Sequence, residues 1–317
     1  MNNSLTRVLG AVALALLLAA CQQSETPAGD AAAGAADEAA GEAASAATDS
    51  APVINAADQS LAAILAAQPA EVQARYMYRH PAETLEFFGI EPGMTVMEVL
   101  PSGGWYTKIL VPYLGEDGTL VGVDYDKALF PMFGFMSAEA LEAKETWPED
   151  WVAEAAGWFE GPTADIEAFQ FGSLPERFEG EMDAVLMIRA LHNMARFESR
   201  GGFLTAAIAD TVRALKPGGI VGVVQHMAPE DAPDAWANGD AGYLKKSAVI
   251  EKFAAAGLEL VAESSINENP LDQPTTDDIV WRLPPTLMGS RDDPQAAEAV
   301  RAIGESNRMT LLFRKPE

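Results

Sequence analysis

The chain has 317 residues and a single cysteine, Cys21. No intramolecular disulfide can form, so crosslinking within the chain is excluded as a source of stability. Histidine is nearly as scarce. His80, His192 and His226 are the three, and with the lone cysteine they give no HxxxH or CxxC spacing. That set does not read as a metal centre, and acidic pairs such as Asp277-Asp278 and Asp292-Asp293 read as a solvated face. Cationic side chains are also few, 21 Lys and Arg against 47 Asp and Glu, for a formal net charge of −26. Phosphate backbones are held by clustered Lys and Arg, so nucleic acid is excluded as a partner.

Aromatics are missing, and large apolar side chains nearly so, from Gln22 to Ala57, a stretch of Ala, Gly, Glu, Asp, Ser and Thr. It cannot bury enough surface to offset its ordering entropy and is expected to be a solvated tether. Ahead of it, Arg7 is the only basic side chain before an apolar run from Val8 to Ala20. That run is too short to span a bilayer and ends in small residues, the form of a signal peptide. Leu18-Ala19-Ala20-Cys21 resembles the lipobox of bacterial lipoproteins. The resemblance implies cleavage before Cys21, a lipid on its thiol and, with Gln22 next, delivery to the outer membrane facing the periplasm. The expected organisation is a signal peptide over 1–20, a lipidated tether over 21–57 and one domain over 58–317. A coil relation of about 5–6 Å times the square root of length puts that domain about 30 Å from its anchor.

From residue 60 onward the pattern changes. Ser60 to Ala67, Glu71 to Tyr78 and Pro81 to Phe88 read as helices, the last with Pro at its start and Gly89 past its end. Met94–Leu100, a helical run Trp105–Leu114 and Thr119–Asp124 then make one βαβ unit. Strand and helix signals alternate after that: strands at Ile166–Phe171, Asp183–Ile188, Gly219–Gln225, Leu258–Glu263 and Met309–Arg314, helices at Phe203–Leu215 and Lys246–Ala256. The predicted fold is a single α/β domain, Rossmann-like and doubly wound, with a mostly parallel seven-stranded sheet and an antiparallel last strand. Three stretches exceed a minimal domain of this kind: 128–162, 228–243 and 266–306. They follow strands or their helices at the edge where open α/β sheets place ligands, and are candidate lids and substrate walls.

Glu98-Val99-Leu100-Pro101-Ser102-Gly103-Gly104-Trp105-Tyr106 joins the first strand to its helix, where small residues let backbone approach a ligand. Asp124 ends the next strand, placed for ribose hydroxyls. These two features, with the "ALKPGG" before a later strand, resemble class I S-adenosylmethionine-dependent methyltransferases. Among those the chain is most similar to a group of predicted exported bacterial methyltransferases, through His80-Pro81-Ala82-Glu83-Thr84, Gly103-Gly104-Trp105-Tyr106-Thr107, Asn269-Pro270-Leu271-Asp272 and Phe313-Arg314-Lys315-Pro316. The resemblance implies S-adenosylmethionine as cofactor, held by Glu98, Pro101, Ser102, Gly103, Gly104 and Asp124. Leu100 and Ser102 stand where the superfamily usually has glycine, and Phe171-Gly172-Ser173 lacks the acid that often meets the adenine amine. An NAD-binding βαβ unit is the alternative for the turn.

Arg189-Ala190-Leu191-His192-Asn193 ends the fourth strand where a methyl donor would point. His192 is the candidate general base and Arg189 a candidate catalytic cation; the alternative has His192 capping the strand and Arg189 pairing with an acid. His226 reads as structural. The expected function is methyl transfer to a small-molecule or envelope acceptor. The alternative is a catalytically silent methyltransferase-fold lipoprotein that binds a ligand or partner, because an exported domain has no evident supply of a cofactor made in the cytoplasm.

Overall fold

A computed structural model describes residues 60–317. Cys21, the apolar run and the tether lie outside these residues. Among the described residues no helix is long and apolar enough to cross a membrane.

The sheet is built from β1 (Thr95–Val99), β2 (Thr119–Asp124), β3 (Asp165–Gln170), β4 (Met182–Ile188), β5 (Leu215–Ala228), β6 (Leu244–Lys245), β7 (Glu259–Ser264) and β8 (Arg308–Arg314). Its order is β3-β2-β1-β4-β5-β8-β7, with the two-residue β6 beside the end of β5. Strands β3, β2, β1, β4 and β5 run parallel, and β8 is antiparallel to both β5 and β7. This is the doubly wound, mostly parallel sheet with an antiparallel last strand expected from the sequence. The order reverses between β1 and β4, which makes their carboxyl ends the switch point where such sheets hold ligands.

Central strands read as nearly continuous apolar runs because both faces are covered. Ile64, Leu85, Phe88, Ile109, Leu110 and Trp151 pack on one face, Leu204, Ile208, Val249 and Phe253 on the other. Two glycines set how closely helices approach. A Cβ on Gly222 of β5 would lie 2.6 Å from the Phe88 ring, and one on Gly122 of β2 would run into Trp151. A third, smaller cluster joins Ala237, Tyr243, Val280 and Trp281, so two of the inserts pack on each other.

Local differences from the sequence reading have physical reasons. The expected helix over Glu71 to Tyr78 divides into Ala70–Gln73 and Tyr76–Arg79, ended by His80 in the left-handed region (φ 41°). The division lets Arg75 and Arg79 reach the same carboxylate, Glu305. Trp105 sits in the turn before its helix, which runs Thr107–Leu114. Lys216-Pro217-Gly218-Gly219 lies inside β5, not ahead of it; the ladder shifts register opposite Met182 and Ala184, with Gly218 at φ 75°.

Candidate functional site

Glu98 is buried on β1, paired in register with Gly122 of β2 and Leu186 of β4. The Thr107 hydroxyl donates to its Oε2 at 2.7 Å, tying the strand to the start of the helix beyond the turn. Between them the backbone is strained. Leu100 (φ 58°) and Ser102 (φ 48°) both occupy the left-handed region, as does Gly104 (φ 80°). Non-glycine residues there cost about 1–2 kcal/mol each, and such strain concentrates at ligand sites. The glycine-like backbone is therefore kept where the glycines are not. Gly104 is close-packed for a different reason than expected, since a Cβ there would collide with Trp158 from the 128–162 insert. Pro101 and Gly103 complete the turn, and Gly104 donates to the Pro101 carbonyl at 2.8 Å.

Asp124 ends β2 opposite Gln170 and is 2% exposed. Its Oδ1 accepts from the Tyr125 N–H at 2.8 Å and its Oδ2 from Lys144 Nζ at 2.7 Å. Lys144 belongs to the 128–162 insert, packs over the Phe130 ring, and its carbonyl accepts from Gln170 Nε2 at 3.1 Å. In this conformation the insert thus lies on the acid expected to meet ribose.

Next to the switch point, Arg189 directly follows β4 and is another non-glycine residue in the left-handed region (φ 59°), whose N–H donates to Val224 O. His192 follows in the helix Leu191–Arg196 and is buried against Trp281, with Nδ1 3.5 Å from Gln225 Nε2. Burial first, and then the Arg189 and Arg196 charges, hold its pKa down to about 4 against the hydrogen bond from Gln225, so it is neutral at pH 7. Arg189 lines a small cleft of about 10 Å³, space for little more than one water, whereas His192 does not.

The histidine on the cleft is His226, which the sequence reading took as structural. It is 3% exposed, pairs across β5 and β8 with Arg308, and has Nδ1 2.6 Å from Ser306 Oγ. Its Nε2 has no hydrogen-bond partner. Burial, with His192, Arg308, Arg189 and Arg79 around it, pushes its pKa well below the ordinary value. Nothing in the flanking residues marks this position; its Ser306 partner arrives from 80 residues away.

Below the cleft is a buried ionic cluster. Glu305 accepts from Arg75 (2.7 Å), Arg79 (3.3 Å) and Arg308 (2.9 Å). Desolvation opposes its charge, but the surrounding arginines hold its pKa well below the usual range. Arg79 also lies 4.7 Å over the Trp105 ring, and the adjoining Tyr106 phenol is pushed up to about 12 by burial. Among the described residues no group of His, Cys, Asp or Glu could hold a metal ion.

No protein-family model and no curated protein matches the chain. Solved structures resemble it at the level of fold. A putative methyltransferase of Haloferax volcanii, solved with a methyltransferase activator, is 17% identical with a TM-score of 0.46, over 78% of this chain and 94% of that one. A SAM-dependent methyltransferase from Aquifex aeolicus is 15% identical with a TM-score of 0.43, over 63% and 93%. The cyclase SpnF is 18% identical with a TM-score of 0.43, over 75% and 80%.

Proposed function

We propose that this chain is an S-adenosylmethionine-dependent methyltransferase acting on a small-molecule acceptor. The observation that carries the reading is the turn leaving β1: Leu100 and Ser102 held in the left-handed region beside the buried Glu98. Backbone strain of this kind persists where a ligand approaches the chain closely.

The residues present fit the cofactor with one rearrangement. Glu98 and the backbone of 100–104 suit its amino-acid end, and Asp124 suits the ribose diol once Lys144 swings off its Oδ2. When bound, the cofactor supplies a methyl group already activated on a sulfonium, so the protein's task is mainly positioning. Arg189 orients the acceptor from the end of β4. His226, which lines the cleft with its imidazole held by Ser306, is better placed than His192 to take a proton from it. Calorimetric titration with S-adenosylmethionine and S-adenosylhomocysteine tests the reading: micromolar binding by either is expected, and binding by neither sinks it.

One observation favours a second reading. The Asp124–Lys144 ion pair, seated where a ribose would lie, suits a methyltransferase fold used as a binding module without methyl transfer. The two separate on whether S-adenosylhomocysteine copurifies with the protein and is seen by native mass spectrometry. The lipid on Cys21 and the envelope address remain part of the proposal; labelling with a radioactive fatty acid tests them, and an unlabelled protein removes both.

A further inference from the structure

We propose that Glu305 and Arg79 are positioning residues for the turn that leaves β1: Glu305 fixes the Arg79 guanidinium, and that guanidinium holds Trp105 and with it the backbone of 100–106. The loop ahead of β8 thereby sets the geometry offered to the cofactor's amino-acid end. The inference rests on the function proposed above for the word cofactor, and on the contacts alone for the positioning.

Leu100 and Ser102 sit in the left-handed region, and the hydrogen bond from the Ser102 hydroxyl to Leu100 O is a long 3.4 Å. Strained backbone persists only where its surroundings over-determine it. Trp105 is the side chain through which those surroundings reach the turn. Its ring lies 4.7 Å under the Arg79 guanidinium and meets Tyr76 edge-on at 6.2 Å, both from the short helix Tyr76–Arg79. On the chain itself it packs against Tyr106 at 4.8 Å. A cation over an indole face is held most firmly where water is excluded, and Arg79 is 2% exposed.

Arg79 is held by contacts from the far end of the chain. Its Nε lies 3.4 and 3.3 Å from the two carboxylate oxygens of Glu305. Arg75 and Arg308 reach the same carboxylate, and Asn269 Nδ2 donates to the Glu305 carbonyl at 2.6 Å and to Ile303 O at 2.8 Å. Asn307 Oδ1 accepts from the Asn269 N–H at 2.9 Å, which closes the loop 303–307 onto Asn269. A second tether reaches Arg79 through its backbone, where Thr84 Oγ1 donates to Arg79 O at 3.4 Å and accepts from Asn267 Nδ2 at 3.0 Å. Buried ion pairs contribute little net stability over apolar packing, so one carboxylate among three guanidiniums is better explained by the geometry it fixes. That geometry ends on Trp105.

The test reads the turn in the full chain without any ligand, so its failure is distinct from a failure to bind S-adenosylmethionine. The indole N–H resonance of Trp105, identified by its loss in Trp105→Phe, is followed by NMR together with the amide resonances of Gly103 and Gly104. Arg79→Met is expected to displace all of them and Arg79→Lys to restore them in part. Asn269→Ala removes uncharged hydrogen bonds and leaves every charge of the cluster in place. It is expected to displace the same resonances in the same direction by a smaller amount, and it decides the question even if Arg79→Met fails to fold. Resonances unmoved in Asn269→Ala would overturn the proposal, because a Trp105 that is merely packed does not sense the distant loop. Calorimetry with S-adenosylhomocysteine gives the second readout: Arg79→Met is expected to weaken binding about tenfold, and an affinity within about twofold of the unsubstituted protein would also overturn the positioning role. If the unsubstituted protein binds no S-adenosylhomocysteine, the function proposed above falls and the resonances alone decide whether Glu305 and Arg79 position the turn.

Discussion

At the scale of single residues, two positions carry a measurable signature of the site. Ser102 holds φ 48° with only a long 3.4 Å hydrogen bond to Leu100 O in return. Replacing it by glycine removes about 1–2 kcal/mol of left-handed strain and adds about 0.5–1 kcal/mol of unfolded-state entropy. Ser102→Gly is therefore expected to stabilise the protein by about 0.5–1 kcal/mol, a rise in Tm of about 2 °C by calorimetry; a fall would mean the side chain itself holds the turn. Lys144 is the second position. Its ion pair with Asp124 is partly open to solvent, which limits its worth to about 1 kcal/mol. Lys144→Ala should tighten S-adenosylhomocysteine binding by about fivefold if the lysine competes with ribose. Weaker binding would show instead that Lys144 contacts the ligand.

At the scale of elements, the sequence made some of the site legible and hid the rest. Strands β1, β2 and β4 were readable because a buried parallel strand is an unbroken apolar run, and Asp124 because a lone acid closes such a run. Lys144 and Trp158 were not, since the insert that carries them has no periodicity tied to the sheet. Arg79 and Arg308 were hidden for another reason. A charged residue in a sequence reads as surface, and these are 2% exposed because both pair with Glu305, which lies three residues from Arg308 but 226 from Arg79. His226 lies in an apolar strand, and only the antiparallel pairing with β8 turns it into a cleft residue. Element packing makes its own prediction at Gly222, where an added Cβ would sit 2.6 Å from Phe88. Gly222→Ala should force the helix Pro81–Phe88 away from β5 and cost about 1–3 kcal/mol in denaturant unfolding. A smaller cost would mean the helix yields freely, and with it the turn at His80 that orients Arg79.

At the scale of the whole molecule, acid acts on stability in two opposing ways. The net charge of −26 repels itself, and that repulsion weakens as carboxylates protonate toward the isoelectric point near 4.3. The buried histidines act in the other direction. His192 has a folded pKa of about 4, below its unfolded value near 6.5, so between those values the unfolded chain binds a proton that the folded chain refuses. Its contribution is flat above pH 6.5, falls as the pH drops toward 4, and is flat again below, by about 3 kcal/mol at most. His226, whose pKa burial also pushes well below the ordinary value, adds a loss of the same sign. Arg189, Arg196 and His226 face His192 and Gln225 bonds it, so none of these neighbours supplies a negative charge that would welcome the proton. His192→Gln keeps a polar side chain at the position and cannot titrate. Between pH 7 and pH 4 its unfolding free energy should fall less than that of the unsubstituted protein, so the gap between the two narrows or reverses. Parallel curves over that range would show that His192 is protonated in the folded state, and would return it to consideration as the base.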